Sequence, residues 1–127
     1  MSGETLHQIA TETIPVTTPA LLGNQIVFFL NPHGYRGGAK VVASYDLALQ
    51  KNIWRAEAAT EWSSTRPYVW RESILVGNNV GEIYAYRAGD GVAQWSHAFG
   101  GVMRGIGIDE RTIYAGTFKG MLYAFVP

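Results

Sequence analysis

Cysteine is absent from the 127 residues, which excludes disulfides, thiolate catalysis and metal sites built on thiolates. Net charge is absent too, because ten Lys and Arg residues balance ten Asp and Glu residues. Without a basic cluster, the release of counterions provides little drive for binding nucleic acid. The same reasoning counts against an electrostatic membrane anchor. We therefore expect neither a nucleic-acid partner nor a membrane partner.

Long hydrophobic runs are also missing. The longest apolar stretch, Ile26–Leu30, is far shorter than the about 20 residues that span a bilayer. The first residues lack the basic and apolar pattern of a signal peptide. The sequence thus predicts a soluble, cytoplasmic protein, or an extracytoplasmic one if a leader was removed. With 47% apolar and 16% charged residues, the composition is that of a single globular domain.

Residue patterns for catalysis or metal binding are not found. The three histidines, His7, His33 and His97, are scattered without the spacing of metal ligands. The turn at Asp90 lacks the further acidic ligands of a calcium loop. No Ser/His/Asp set can be argued from the order of residues. We therefore expect no cofactor, no metal and no catalytic residue, and an enzyme is not the favoured function.

The sequence does contain a repeat. Residues Ser73–Tyr86 align with Thr112–Phe125 at a spacing of 39, with both glycines in register. An earlier copy lies 41 residues upstream, where Trp54 corresponds to Trp95. A period near 40 with short apolar runs is typical of propellers and solenoids, because one unit cannot bury its own faces.

Within each unit the apolar pattern has the period of β-strands. Short runs alternate between two faces and are separated by turns that contain glycine or asparagine, such as Asn79–Gly81. Both faces are largely apolar, which predicts sheets that are covered on both sides. The nearest approach to a helical pattern, Lys51–Thr60, aligns with the strand of Trp95 and is interpreted as a strand. Four antiparallel strands per unit, repeated radially, predict an all-β fold made of β-propeller blades.

The strand count predicts the organisation of the domain. One domain, 1–127, would contain an outer strand at 5–11, a blade at 18–58, a blade at 66–98 and three strands of a blade at 103–126. The lone outer strand and the last three strands together make the third four-stranded antiparallel blade equivalent. Three blades cannot close a ring, since about four is the minimum. We therefore expect a half-propeller that is completed by oligomerisation as a six-bladed homodimer. The alternative is an excised piece of a longer propeller.

Tyr84-Ala85-Tyr86, a turn glycine at Gly91 and a tryptophan four residues later resemble the repeat of the quinoprotein-like (PQQ-repeat) β-propeller family. The resemblance covers nearly the whole chain. It departs at Gln50, which replaces the turn glycine, and at Arg87, where an aspartate is usual. The calcium-ligating acids, catalytic aspartate and vicinal cysteines of quinone-dependent dehydrogenases have no counterpart. The resemblance implies that residues at the blade seams have structural docking roles: Trp54, Trp95, Tyr84, Tyr123, Gly77, Gly81, Gly116 and Gly120.

An enlarged loop is the first candidate for ligand or partner binding. The first unit is about seven residues longer than the second, and the excess lies in residues 31–40. Loops on a rigid scaffold often carry function. His33, Tyr35 and Arg36 supply its recognition chemistry. The alternative is a tolerated surface insertion.

Two arginines are the second candidate. Arg66 and Arg104 each precede an innermost strand, so a dimer would place four guanidinium groups around one channel mouth. Such a ring could hold an acidic protein loop or a small anionic ligand. The alternative is pairing of these arginines with carboxylates at the seams (Glu57, Glu61 or Glu72). Trp62 and Trp70 flank the region, either as inter-blade contacts or as a stacking platform for a sugar.

The sequence therefore favours a non-enzymatic binding and assembly scaffold. Its partners would be a second copy of itself and a protein or small ligand held by the loops and the central channel. The alternative is a fragment of a larger quinoprotein-like propeller enzyme that acts on a quinone or a sugar. Because a fold does not fix a function, the sites must decide between them.

Overall fold

The computed structural model describes residues 3–6, 8–11, 14–31, 39–58, 60–62 and 66–127. These residues form eleven strands in three antiparallel sheets, and no helix occurs among them. The predicted all-β fold is therefore confirmed. Each sheet is a meander in which strands that follow one another in the chain are paired.

The three sheets are called the first, second and third blades. The first blade contains β1 (Ile14–Leu22), β2 (Gln25–Asn31), β3 (Val41–Asp46) and β4 (Lys51–Glu57). The second contains β5 (Tyr68–Trp70), β6 (Ser73–Gly77), β7 (Glu82–Arg87) and β8 (Ala93–Ala98). The third contains β9 (Met103–Ile108), β10 (Ile113–Thr117) and β11 (Leu122–Phe125).

The first and second blades repeat the same strand pairing at individual residues. Ser44 lies opposite Trp54 across β3 and β4, and Ala85 lies opposite Trp95 across β7 and β8. In both pairs of strands the register shifts by one residue directly after this position. A bulge at the same place in both blades shows that the repeat extends to local backbone geometry.

The second blade packs one face against the first blade and the other against the third, and the corresponding faces of the other two blades are named in the same way. We call these the backward face and the forward face. The forward face of the first blade and the backward face of the second share one core, with Val27, Phe29 and Val42 against Ile74 and Val76. A second core joins the forward face of the second blade to the backward face of the third, through Leu75, Ile83 and Ala85 on one side and Ile113 and Ala115 on the other.

The structure describes the segment of the expected outer strand at 5–11 except for residue 7. Residues 3–6 and 8–11 have no strand structure in the single chain. Ile9, Ala10 and Thr11 instead line cavities on the backward face of the first blade, beside Phe28. Pairing of the segment with another chain stays a prediction.

Candidate functional site

The innermost strands of the three blades converge on one open cavity of about 480 Å³. Three short segments line it: Pro19–Leu21, Arg66–Val69 and Ile106–Ile108. The guanidinium carbon of Arg66 lies 5.1 Å from the centre of the Tyr68 ring, an arrangement that fixes the cation by a cation–π contact. This cavity, which we call the channel cavity, combines an apolar wall with one positive charge.

Arg104 lies elsewhere. It is the second residue of β9 rather than a residue before the strand. Its guanidinium carbon lies 4.3 Å from the centre of the Phe118 ring, and it is not among the residues that line the channel cavity. The structure therefore brings Arg66, but not Arg104, to the channel.

Trp62 and Trp70 are both core residues, with 5% and 9% of their surface exposed. Trp62 stacks on Phe29 and meets the edges of Tyr84 and Tyr86. The indole nitrogen of Trp70 donates a 3.0 Å hydrogen bond to the carbonyl of Asp109 in the third blade. Neither ring leaves enough free face for a sugar to stack on. Of the two roles considered, the structure has both tryptophans as inter-blade contacts.

The enlarged loop lies outside the described residues for most of its length. His33, Tyr35 and Arg36 fall within 32–38, so their candidate binding role stays a prediction. Asn31 and Ala39, at the two sides of this segment, are buried.

Trp54 bridges the first and second blades. Its indole nitrogen donates a 2.7 Å hydrogen bond to the carbonyl of Ala88, and its ring lies against Gly91. A Cβ atom at Gly91 would come within 2.5 Å of two ring carbons, so glycine is required there by contact as well as by its φ of +73°. In the next seam Trp95 meets the ring of Phe125 edge to face, with 5.9 Å between centres.

The other seam residues have several distinct roles. The hydroxyl of Tyr123 donates a 3.5 Å bond to the carbonyl of Phe99, while Tyr84 stacks on Tyr86. Gly81 and Gly120 are turn residues with positive φ. Gly77 and Gly116 lie within strands, opposite Ile83 and Leu122.

A cavity between the first and second blades was missed by sequence reasoning. It has a volume of about 230 Å³, and we call it the seam cavity. Its lining is polar as well as aromatic: Glu57, Ala58, Thr60, Glu82, Tyr84 and Tyr86. Burial, and secondarily the neighbouring Tyr84, raises the pKa of the Tyr86 hydroxyl to about 12, so this group is a neutral donor at physiological pH. The repeat alignment held a signal, since Ala58 corresponds to Phe99 and Glu82 to Met121.

The forward face of the third blade is exposed. Leu122 is 76% exposed and Tyr114 is 39% exposed, and Ala124 beside them is exposed as well. Within the described residues, β11 pairs only with β10, so its outer edge is open. An open edge next to an apolar face is a surface that proteins ordinarily cover.

Metal and membrane features were also checked. Among the described residues, no group of three or more His, Asp or Glu side chains is placed to hold a metal ion. Over the same part of the chain, no helix is long and apolar enough to cross a membrane. Asp109 has a pKa below its ordinary value because its carboxylate accepts hydrogen bonds from the backbone amides of Arg111 and Thr112, which are the bonds of a tight turn.

Comparison with known proteins shows similarity at the level of structure alone. No family model matches the chain, and no curated protein sequence matches it. Many solved structures resemble it, three of which are described below. The computationally designed Ika8 protein matches with a TM-score of 0.64 and 12% identity, over 88% of this chain and 33% of its own. BamB from Moraxella catarrhalis matches with a TM-score of 0.63 and 11% identity, over 87% of this chain and 42% of its own.

The third, the computationally designed Ika4 protein, has a TM-score of 0.61 and 10% identity, over 98% of this chain and 99% of its own. The chain thus spans about a third of the designed Ika8 protein and two fifths of BamB. Sequence identities this low support similarity of fold and nothing more specific. Together with the three repeated sheets, they establish a β-propeller repeat fold.

Proposed function

We propose that the protein is a non-enzymatic β-propeller scaffold whose three blades form a six-bladed ring with a second copy of the chain. The exposed forward face of the third blade carries this proposal. Ring closure would place two channel cavities around one axis, each with an Arg66. The ring would then present its channel and loops to an acidic protein segment or a small anionic ligand.

The repeat indicates what covers the forward face. Tyr114, Leu122 and Ala124 correspond to Leu75, Ile83 and Ala85 of the second blade. Those three residues are fully buried against the backward face of the next blade. Burying a large apolar side chain is worth about 1.5–3 kcal/mol. A backward face of the same kind is therefore the occupant that best fits the third blade.

The first blade of a second copy has a backward face of this kind, made of Phe28, Leu30, Val41 and Ala43, although these four residues are already buried within the single chain. Ala10 and Thr11 lie on it beside Phe28 and Ala43. In the same way Ala58 and Thr60 lie on the backward face of the second blade, beside Tyr84. Ala58 and Thr60 follow the outer strand β4 of the preceding blade.

The similarity of these two placements supports a specific role for the N-terminal segment. Residues 9–11 lie on the first blade in the position that residues just after the outer strand of a preceding blade would occupy. In the ring, that preceding blade is the third blade of the partner. Residues 5–11 would then pair with the open edge of the partner's β11 and supply its fourth strand, as β4 and β8 do in the other two blades.

A matched pair of substitutions tests the proposal. Leu122→Asp places a charge on the forward face, and Leu49→Asp places the same charge on the turn before β4, where Leu49 is 63% exposed. We expect sedimentation at low micromolar concentration to show a dimer for the parent and for Leu49→Asp, and mainly monomer for Leu122→Asp, because a charge is costly in an apolar interface. Equal sedimentation of the two variants would contradict the assignment of this face.

A second candidate is that the three blades belong to a longer propeller, as the quinoprotein-like enzyme alternative requires. The lengths of two similar structures favour it, since the aligned region covers only 33% of the designed Ika8 protein and 42% of BamB. In that case the forward face would be covered by a further blade of the same polypeptide. A parent chain that sediments as a monomer at every concentration would favour this candidate.

A further inference from the structure

The seam cavity has the features of a binding site that is separate from the channel. It lies within one chain, between the first and second blades, so its occupancy does not depend on ring formation. We infer that it binds a small organic cation, a primary ammonium group on a short apolar stem. Glu82 would hold the ammonium group, and the rings of Tyr84 and Tyr86 would cover the stem.

The cavity exists because two side chains are small. Ala56 and Ala58, within and directly after β4, occupy the positions that His97 and Phe99 occupy within and directly after β8. In that second seam the ring of His97 stacks on Phe125 at 4.9 Å, and the ring of Phe99 lies 4.9 Å from that of Tyr123. The aromatic rings that fill the second seam are thus replaced by two methyl groups in the first. A volume of about 230 Å³ remains beside Ala58.

The wall of the cavity is charged where the other blades are apolar. Glu82 corresponds to Val41 in the first blade and to Met121 in the third. Its carboxylate accepts a 3.0 Å hydrogen bond from the side-chain amide of Asn78, and among the described residues no cation forms an ion pair with it. A half-buried carboxylate gains from a cationic partner.

The rest of the lining fits the same ligand. The second carboxylate, Glu57, forms a 3.3 Å ion pair with Arg55, which itself does not line the cavity. None of the described residues that line the cavity is basic. Tyrosine rings attract cations through their faces, and the hydroxyls of the tyrosines and of Thr60 add hydrogen-bonding groups. Anions are disfavoured because two carboxylates face the same space.

The test uses propylammonium chloride as the probe and 1-propanol as its neutral match. Titrations are followed by NMR at the backbone amides of Tyr84 and Tyr86, which report on this seam without any assay of activity. We expect saturable shifts with propylammonium and affinity for 1-propanol weaker by about tenfold or more, which is the size of one charge-assisted hydrogen bond. Absence of saturable shifts, or equal affinity for both probes, would overturn the inference.

Three variants separate the site from a general effect of charge. Ala58→Phe restores the aromatic side chain of the second seam and should abolish binding. Glu82→Gln keeps the shape and the hydrogen bond to Asn78 and should weaken binding by about tenfold or more. Glu72→Gln removes a carboxylate at the exposed turn between β5 and β6 and should leave binding unchanged. Far-UV circular dichroism and the melting temperature verify folding. Folded Ala58→Phe or Glu82→Gln protein that binds as the parent does would contradict the site.

Discussion

At the scale of single residues, Trp54 makes more contact with the second blade than any other residue of its strand. The ring is buried, its nitrogen reaches the Ala88 carbonyl at 2.7 Å, and Gly91 lies against its face. We predict that Trp54→Ala lowers the free energy of unfolding by about 3–5 kcal/mol, because it leaves a cavity and removes one of the two hydrogen bonds that the Ala88 carbonyl accepts, the other coming from the Gln25 side-chain amide. Trp54→Phe should cost less, since a phenyl ring fills part of the space. Denaturant unfolding measures both, and a loss below about 1 kcal/mol for the alanine variant would contradict the docking role.

Gln50 occupies a backbone conformation that favours glycine. Its φ is +53°, and the corresponding Gly91 has a φ of +73°. A left-handed conformation costs a residue with a side chain about 1 kcal/mol. Gln50 is exposed, so we predict that Gln50→Gly raises the free energy of unfolding by about 0.5–1 kcal/mol. A decrease on thermal or denaturant unfolding would show that the side chain contributes contacts that outweigh the strain.

Tyr86 predicts a dependence of stability on alkaline pH. Its pKa is raised to about 12 in the folded protein, whereas an unfolded tyrosine titrates near about 10. Above that value the unfolded state loses its proton first, so stability that is complete below pH 10 falls as the pH rises toward 12, by up to about 2–3 kcal/mol. Tyr86→Phe should remove this part of the decline. An identical pH slope of unfolding for the parent and Tyr86→Phe would contradict it.

Sequence reasoning reached some of these residues and not others. The glycine at position 91 and its replacement at Gln50 were readable because turn chemistry is local and the repeat aligns the two sites. For Trp62 and Trp70 the sequence left two roles open, an inter-blade contact and a stacking platform for a sugar. It could not decide between them, because a tryptophan in either role has the same flanking residues. The seam cavity was missed because a cavity depends on the sizes of side chains in two strands at once.

At the scale of strands and turns, two equivalent glycines differ in their surroundings. Gly81 and Gly120 occupy the same place in successive blades, with φ of +87° and +77°. A Cβ at Gly81 would lie 2.5 Å from the carbonyl oxygen of Gly101, whereas nothing lies within 4 Å of one at Gly120. Gly81 therefore marks a close approach between its hairpin and the link to the third blade.

We predict that Gly120→Ala costs only the conformational strain of about 1 kcal/mol. Gly81→Ala should cost about 2 kcal/mol more, because two backbone segments must separate to admit the methyl group. The pair shares residue type, change and turn position, so the difference between the two free energies of unfolding isolates the close approach. Equal losses would mean that the link at Gly101 moves without cost.

Strand order was predictable from sequence, while strand ends were less so. Four, four and three strands follow directly from the alternation of apolar runs and turns. Strand β9, however, begins at Met103, which pairs with Thr117 of β10. Arg104 therefore falls inside the strand and not before it. The segment 5–11 illustrates the converse limit. Its composition suits a strand, but a strand forms only where a neighbour supplies hydrogen bonds.

At the scale of the whole molecule, the three blades have unequal surroundings. The seams on both sides of the second blade are closed by apolar cores, and the backward face of the first blade is lined by residues 9–11. Only the third blade combines an exposed apolar face with an open strand edge among the described residues. The proposed second copy would supply both missing contacts at once, and the twofold symmetry would use each contact twice.

The mass of the parent chain in solution tests this central claim most directly. Two forward-to-backward contacts and two added strands should bury well over about 1,000 Å² of surface. We therefore expect light scattering at low micromolar concentration to report twice the mass of one chain. Deletion of residues 1–12 should give aggregates or unfolded monomer, because the edge of β11 is then left without its strand. A stable, compact parent monomer under the same conditions would contradict the closure of the ring by a second copy.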